Sequence, residues 1–196
     1  MPSEFLLKEY DLCFEQLRFY DTRQEELLKY LFTLTSATAA AQFAVLQFLG
    51  KPTTIFFASQ GFLFLVVFTA SVLIYLMMLQ NRLYFVFIAR QINAIRAHML
   101  LTDAPAFTHN QLYTSTTFSA FKWSSVHSMQ MLGAALISAL FAAVSTYGVL
   151  HVLGSQCAIA SSTFVCVAVG MTEVVGGVIY LKQASRKKAD KAIHQK

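Results

Sequence analysis

Charged residues are scarce in this sequence. Asp, Glu, Lys and Arg make up 13% of its 196 residues, about half the share that a soluble domain usually carries. Hydrophobic residues make up 56%. A chain of this composition lacks the polar surface that a soluble domain exposes to water. The sequence therefore predicts an integral membrane protein.

Enzyme and metal motifs are also lacking. The sequence has no HExxH, GxSxG or P-loop motif, and its cysteines, Cys13, Cys157 and Cys166, have no paired spacing. His127 and His151 fall near opposite ends of one apolar segment, which does not suit haem ligation. No basic segment with a short apolar core opens the chain, so no cleavable signal is predicted. We therefore expect no enzyme, catalytic residue, cofactor or metal site.

Helix-breaking residues are missing from one long stretch. Nothing in the backbone chemistry interrupts a helix between Gly61 and Pro105. Residues 62–101 as one helix would be about 60 Å long, roughly twice the hydrocarbon thickness of a bilayer. Residues 62–79 carry no charge, whereas the pattern becomes amphipathic from Asn81 onward. We predict a transmembrane helix that continues out of the membrane as a stalk.

Two apolar stripes are predicted to pack. The stalk stripe recurs at steps of three and four residues and comprises Phe85, Ile88, Ile92, Ile95 and Met99. The other stripe is a heptad seam in residues 4–31, formed by Leu6, Tyr10, Cys13, Leu17, Tyr20, Gln24, Leu27 and Leu31. Gln24 alone breaks this seam. We expect the first helix to pack on the stalk or on a neighbouring copy; the alternative is a helix in the lipid headgroups.

The remaining apolar sequence divides into spans. We predict an all-α integral membrane protein with four transmembrane helices, an amphipathic cytoplasmic N-terminal helix and a long cytoplasmic extension of the second span. The predicted segments are a helix at 1–30, a membrane domain at 31–181 with spans at 31–49, 54–80, 126–150 and 157–181, a stalk and loop at 81–125, and a basic tail at 182–196.

Basic residues collect on one side of this arrangement. The turns at 50–53 and 151–156 contain a single Lys or Arg, Lys51, whereas the opposite side holds the arginines of the stalk and six Lys or Arg residues of the tail. The positive-inside rule therefore places both termini and the stalk in the cytoplasm, in a bacterial inner membrane.

An acidic side chain interrupts the fourth span. Glu173 lies nine residues before Lys182, about 13 Å along a helix. A carboxylate at that depth costs about 2.5–3.5 kcal/mol unless protein or water surrounds it. Gly170 and Gly177 flank it and would let another backbone come close. Glu173 is our candidate for a pore, a water-lined cavity or a subunit contact; the alternative is a carboxyl group that only joins two helices.

Two further candidates lie at the cytoplasmic boundary. Arg82, Arg90 and Arg96, with the basic tail, could bind an anionic ligand such as a nucleotide or oligonucleotide, although ordinary positive-inside charge would explain them as well. Phe85 could form a hydrophobic constriction that gates a pore.

A resemblance to known proteins concerns residues 8–101. It rests on the segment YDLCFEQLRFYDTRQEELLKYLFTLTSATAAA and on a second span that ends in RLYFVFIARQINAIRAHML. These features resemble small four-span membrane effectors of bacterial anti-phage systems, Hailong-type channel effectors first, with Kiwa-type and CRISPR-associated small membrane proteins as alternatives. The resemblance implies a non-enzymatic, oligomeric ion channel that a nucleic-acid-like signal from a partner enzyme holds closed.

The leading expectation is a homo-oligomer, most simply cyclic, that acts as a regulated ion channel or membrane-permeabilising effector in anti-phage defence. An apolar stalk stripe that one copy leaves uncovered is one reason for expecting copies to assemble. A non-conducting membrane scaffold or sensor that recruits a soluble partner is the first alternative. A small transporter that uses Glu173 as a proton site is the second.

Overall fold

The computed structural model describes residues 4–102, 114–117 and 119–193, with side chains as far as Arg186. Its helices are α1 Glu4–Leu49, α2 Thr54–Thr102, α3 Val126–Val152 and α4 Ala158–Ile193. Each of the four is long and apolar enough to cross a bilayer. The prediction of an all-helical chain with four candidate membrane spans is therefore confirmed. The predicted N-terminal helix and first span are one continuous helix, α1.

Glycine makes the tight turns after α1 and α3. Gly50 has a φ of 69° and Gly154 a φ of 70°, in the left-handed region where a Cβ is unfavourable. The Gly50 N–H donates to the Leu46 carbonyl and the Gly154 N–H to the His151 carbonyl. These bonds satisfy carbonyls that the helix ends would otherwise leave open. Each turn joins two antiparallel helices.

Contacts at both ends of α3 fix its direction. Near its C-terminus, the Ser145 hydroxyl donates to the carbonyl of Gly61, early in α2, at 2.8 Å. At its N-terminus, His127 meets Arg82, much later in α2. The two helices are therefore antiparallel. They cross most closely at Gly148, where a Cβ would lie 2.7 Å from the Gly61 backbone nitrogen, so this crossing requires glycine.

The last helix runs parallel to α2. Tyr75 of α2 donates to the carbonyl of Glu173, and Arg90 of α2 donates to the carbonyl of Ser185, later in α4. Three segments consequently project from the same end of the bundle: residues 4–30 of α1, 81–102 of α2 and 182–193 of α4. We call this the extended end.

The first half of α1 covers the stalk. All eight heptad positions are buried or half-buried, and on α2 Ile92 and Ile95 are 2% and 4% exposed. Phe85, Ile88 and Met99 are half-buried. The stalk stripe is therefore largely covered within one chain. The expectation that one copy leaves this stripe uncovered was wrong, because α1 folds back along α2 and Phe85 packs on His127 of α3.

The residue that breaks the seam has a polar partner. Gln24 is fully buried and Asn81 is 4% exposed. The Asn81 amide donates to the Gln24 side-chain oxygen at 2.9 Å and to the Tyr20 carbonyl at 2.7 Å. A paired polar group in an apolar seam disfavours other registers, because a slip would bury both groups without partners. Gln24 and Asn81 therefore set the alignment of α1 on α2.

Candidate functional site

A carboxylate lies within the apolar part of α4. The Glu173 Oε1 atom accepts a hydrogen bond from the Ser138 hydroxyl of α3 at 2.7 Å. Its backbone carbonyl accepts one from the Tyr75 hydroxyl of α2 at 2.6 Å. Glu173 therefore links α4 to two other helices through two different groups. These bonds alone agree with the simpler interpretation, in which the residue only joins helices.

The second carboxylate oxygen of Glu173 does not fit that interpretation. Oε2 is shielded from bulk solvent and has no hydrogen-bond partner among the described residues. Leaving a buried polar atom without a partner costs about 1–3 kcal/mol, and more when the group is charged. Gln24 and Asn81, which join α1 to α2, also leave one buried amide atom each without a partner among the described residues, so Glu173 differs from them in carrying a carboxyl group. The contacts within one chain account for one of its two oxygens.

Glu173 lies on the wall of a groove between α2 and α4. The groove has a volume of about 380 Å³, and Gln80 and Thr172 are its other polar lining residues apart from the Tyr hydroxyls. The remaining lining residues are Val72, Tyr75, Leu76, Leu79, Gly176, Gly177 and Tyr180. The groove wall therefore includes Glu173, an amide and hydroxyls within an apolar surface, while the Glu173 Oε2 atom itself is shielded from water. Oxygen atoms of this kind suit a small cation or a proton.

Gly177 shapes this site. A Cβ at Gly177 would overlap the Tyr75 hydroxyl and lie 3.1 Å from a Leu79 methyl group. The glycine thus makes room for the Tyr75 ring and for its bond to the Glu173 carbonyl. The sequence predicts a close approach here, and the structure shows that the Tyr75 side chain of the same chain fills the space. A Cβ at Gly170 would meet the Ala139 methyl group at an ordinary 3.4 Å.

A second polar cluster lies at the extended end. Arg82 is 2% exposed and His127 is 7% exposed. The Arg82 Nη1 atom lies 2.9 Å from His127 Nδ1, and His127 Nε2 lies 2.9 Å from Asp21 Oδ1. A guanidinium only donates, so Nδ1 must accept, and the Nε2–H then donates to the carboxylate. The cluster therefore holds a neutral imidazole and joins α1, α2 and α3.

Arg82 also bonds to the segment that connects α2 to α3. Arg82 Nε donates to the Ala120 carbonyl at 3.1 Å, and its guanidinium lies over the Phe85 ring, 5.4 Å from the centroid. Phe85 in turn packs edge-on against His127, with ring centroids 4.7 Å apart. Phe85, predicted as a possible gate, is thus half-buried against Arg82 and His127 of the same chain and does not line the Glu173 groove.

The other two arginines have different partners. Arg90 donates to the Ser185 carbonyl of α4 at 3.1 Å. Arg96 donates to the Tyr10 hydroxyl of α1 at 3.0 Å and lies over the Phe14 ring. Arg82 and Arg96 are fourteen residues apart on one helix, about 21 Å along its axis. The structure does not bring the three guanidinium groups together, and a shared anion site stays a prediction.

Cys13 lies in residues 4–30 of α1, the part of that helix at the extended end, which we call its extension. It is 3% exposed, and burial, with the Glu9 carboxylate nearby, raises the pKa of its thiol. A thiol with a raised pKa is a poor nucleophile at neutral pH. Cys13 therefore acts as an apolar residue of the seam, as the heptad pattern predicts.

Comparison of the chain with protein-family models, with curated proteins and with solved structures finds no match. The site must therefore be interpreted from its own chemistry.

Sequence reasoning found Glu173 but missed its partners and the Asp21–His127–Arg82 cluster. Asp21 and His127 are 106 residues apart, and Asp21 has the sequence context of a solvated helix face. The one available signal was a polar residue, Arg82, next to the end of an uncharged run. Such a residue needs a partner, but the sequence does not say which one.

Proposed function

We propose that this is a multi-pass protein of a bacterial inner membrane, with the extended end in the cytoplasm, and that its oligomer conducts cations past Glu173. Four helices long and apolar enough to cross a bilayer support insertion. The clustering of Lys and Arg at the extended end supports the orientation.

The observation that carries the proposal is the half-satisfied carboxylate. Glu173 Oε1 is bonded to Ser138, whereas Oε2 has no partner among the described residues and the side chain borders the groove. In the apolar part of a membrane helix, burying such a group costs free energy unless a cation, a proton or water neutralises or hydrates it. A cation that moves along the groove would supply this counter-charge each time it passes Glu173.

One subunit provides only part of such a pathway. The groove is lined by α2 and α4 alone, so its remaining wall must come from lipid or from another copy. Lipid would offer nothing to a carboxylate, whereas a second protein surface could enclose water and ions. A conducting form therefore requires an oligomer in which each Glu173 faces a protein-lined space.

The layout at the extended end supports control from the cytoplasm. Arg82, His127 and Asp21 connect the first three helices there, so a partner that moves α1 would also pull on α2 and α3. The role as an effector in anti-phage defence rests on the resemblance of residues 8–101 alone. A scaffold that does not conduct is the alternative that the test must separate.

Ion flux from proteoliposomes tests the proposal. Purified protein in liposomes loaded with K⁺ should release it under an applied potential, and Glu173→Gln should lower the rate by at least about tenfold, since a single charge dominates an apolar pathway. Glu25→Gln, an exposed carboxylate of α1 that lies about 80° around the helix from Glu15, is the matched control and should leave the flux unchanged.

Each other result has a definite meaning. Unchanged flux in Glu173→Gln would remove the carboxylate from the pathway. Saturable, strictly proton-coupled uptake would indicate the transporter, and impermeable liposomes at every potential would indicate the scaffold.

A further inference from the structure

The first and last helices lie on opposite edges of the subunit. α1 packs on α2 and touches α3, whereas α4 packs on α3 and α2. Within the described residues, α1 and α4 make no contact with each other. Each of these two helices therefore has an outer edge that its own chain does not cover.

The two edges carry opposite charge at the extended end. Residues 4–30 of α1 contain seven carboxylates and four basic side chains, whereas residues 182–193 contain five basic side chains and one carboxylate. Asp11 and Glu15 are exposed on α1 and lie about 200° around the helix from the seam positions Cys13 and Leu17. Lys182 and Arg186 are exposed on α4. Arg18 and Lys29 are exposed on the same side of α1 as Asp11, so the opposition is one of net charge between the two segments.

The acidic residues of α1 and the basic residues of α4 also lie at the same level along the helix axes. On α2, Tyr84 stacks on Tyr20 of α1 and Arg96 lies over Phe14 of α1. Arg90, halfway between them, bonds to Ser185 of α4. The start of the basic extension is therefore level with the part of α1 that lies between Phe14 and Tyr20, and Glu15 belongs to it.

The acidic edge continues into a face of small side chains. Thr33, Ala37, Ala40 and Ala44 follow Asp11 and Glu15 along the same side of α1, and all are exposed. Small residues let a second helix approach closely in lipid. A helix laid along this edge could therefore pack tightly in the apolar part and pair charges in the extension.

We infer that the edge of α1 binds the α4 edge of a second copy, so that subunits join head to tail and close into a ring. The inference rests on the membrane insertion that the proposed function includes, because a bilayer holds all copies in one orientation and brings the two extensions to one height. A two-fold pairing of α1 with α1 would instead bring together two segments of net negative charge, which is less favourable than pairing with the basic segment of α4. Charge complementarity therefore favours the heterologous contact.

Crosslinking in native membranes tests this contact. In a background of Cys13→Ala, Cys157→Ser and Cys166→Ala, differently tagged copies carry either Glu15→Cys or Arg186→Cys, and a short bismaleimide is added. We expect a covalent dimer that contains both tags when the two variants are mixed. Copies with both substitutions should give a ladder that ends at one closed ring size. Glu15→Cys alone is the control and should remain uncrosslinked.

Charge exchange gives an independent measurement. Glu15→Lys and Arg186→Glu should each lower the oligomeric fraction, measured by native mass spectrometry from nanodiscs, several-fold at low salt. The variant with both changes should recover it, because the pair is restored with its signs exchanged. Both positions are exposed, so neither change should impair folding of the subunit.

Failure of this inference and failure of conduction can be told apart. Crosslinks between two copies of Glu15→Cys, a monomeric mass, or no recovery in the exchanged pair would each overturn the α1–α4 contact, whatever the liposomes conduct. A closed ring with the expected crosslinks that passes no ions would overturn the proposed conduction and leave the contact intact.

Discussion

Buried polar groups occur in two settings in this molecule, and the settings differ in the chemistry of the groups that keep an atom without a hydrogen bond. At the extended end, Asn81 bonds to Gln24, and Arg82 bonds to His127, which bonds to Asp21. In the apolar part of α4, Glu173 has one bonded oxygen and one without a partner in the described chain. At the extended end, the Gln24 Nε2 and Asn81 Oδ1 atoms are also buried without a partner among the described residues, but they belong to neutral amides. In α4 the atom without a partner belongs to a carboxyl group, for which the cost is larger when the group is charged, and this is why we propose the function there.

The largest expected effect concerns the Arg82 cluster. Arg82→Leu removes the donor to both His127 Nδ1 and the Ala120 carbonyl, and two bonds from a charged donor are worth on the order of 3 kcal/mol together. We expect a drop of that size in unfolding free energy, measured by denaturation in detergent. The matched control is Arg18→Leu, an exposed arginine of α1, which should change stability little. Similar values for the two variants would mean that the cluster does not hold the extended end together.

A smaller effect is expected at the glycines beside Glu173. Gly177→Ala places a methyl group on the Tyr75 hydroxyl, whereas Gly176→Ala meets nothing within 4 Å. We expect Gly177→Ala to destabilise by about 1–3 kcal/mol, the usual range for overpacking. Gly176→Ala should be neutral or slightly stabilising, because alanine favours a helix. Equal melting temperatures of the two variants would show that Tyr75 does not occupy the space beside Gly177.

The smallest stability effect is expected in the seam. Changing Gln24 and Asn81 together to leucine replaces a bonded pair by apolar groups, which is often nearly neutral in stability. We expect a change within about 1 kcal/mol but a looser register. The register can be measured by pairwise distances between spin labels on α1 and α2. One sharp distance, as in the parent, would show that the polar pair does not set the alignment.

The sequence was informative wherever a pattern is local. Helical periodicity predicted the seam that begins at Leu6 and the stalk stripe that ends at Met99, because both repeat along one helix. The uncharged runs predicted the four candidate spans. These features need no knowledge of how the helices are rotated relative to one another.

Pairings between distant residues could not be predicted. The Gly61–Gly148 crossing and the bonds of Arg82 and Arg90 depend on the height and rotation of one helix against another, which no local pattern encodes. The same limit explains the error over the stalk stripe: the heptad of α1 had two possible partners, and only the packed structure shows that its own α2 is the one.

One measurement tests the central claim most directly: stability and K⁺ flux determined on the same preparation of Glu173→Gln. If the half-satisfied carboxylate serves a cation pathway, its neutralisation should leave the melting temperature unchanged or raise it, because burial of a charge is relieved, while the flux falls by about tenfold or more. A lower melting temperature with undiminished flux would contradict the account and would make Glu173 a structural residue.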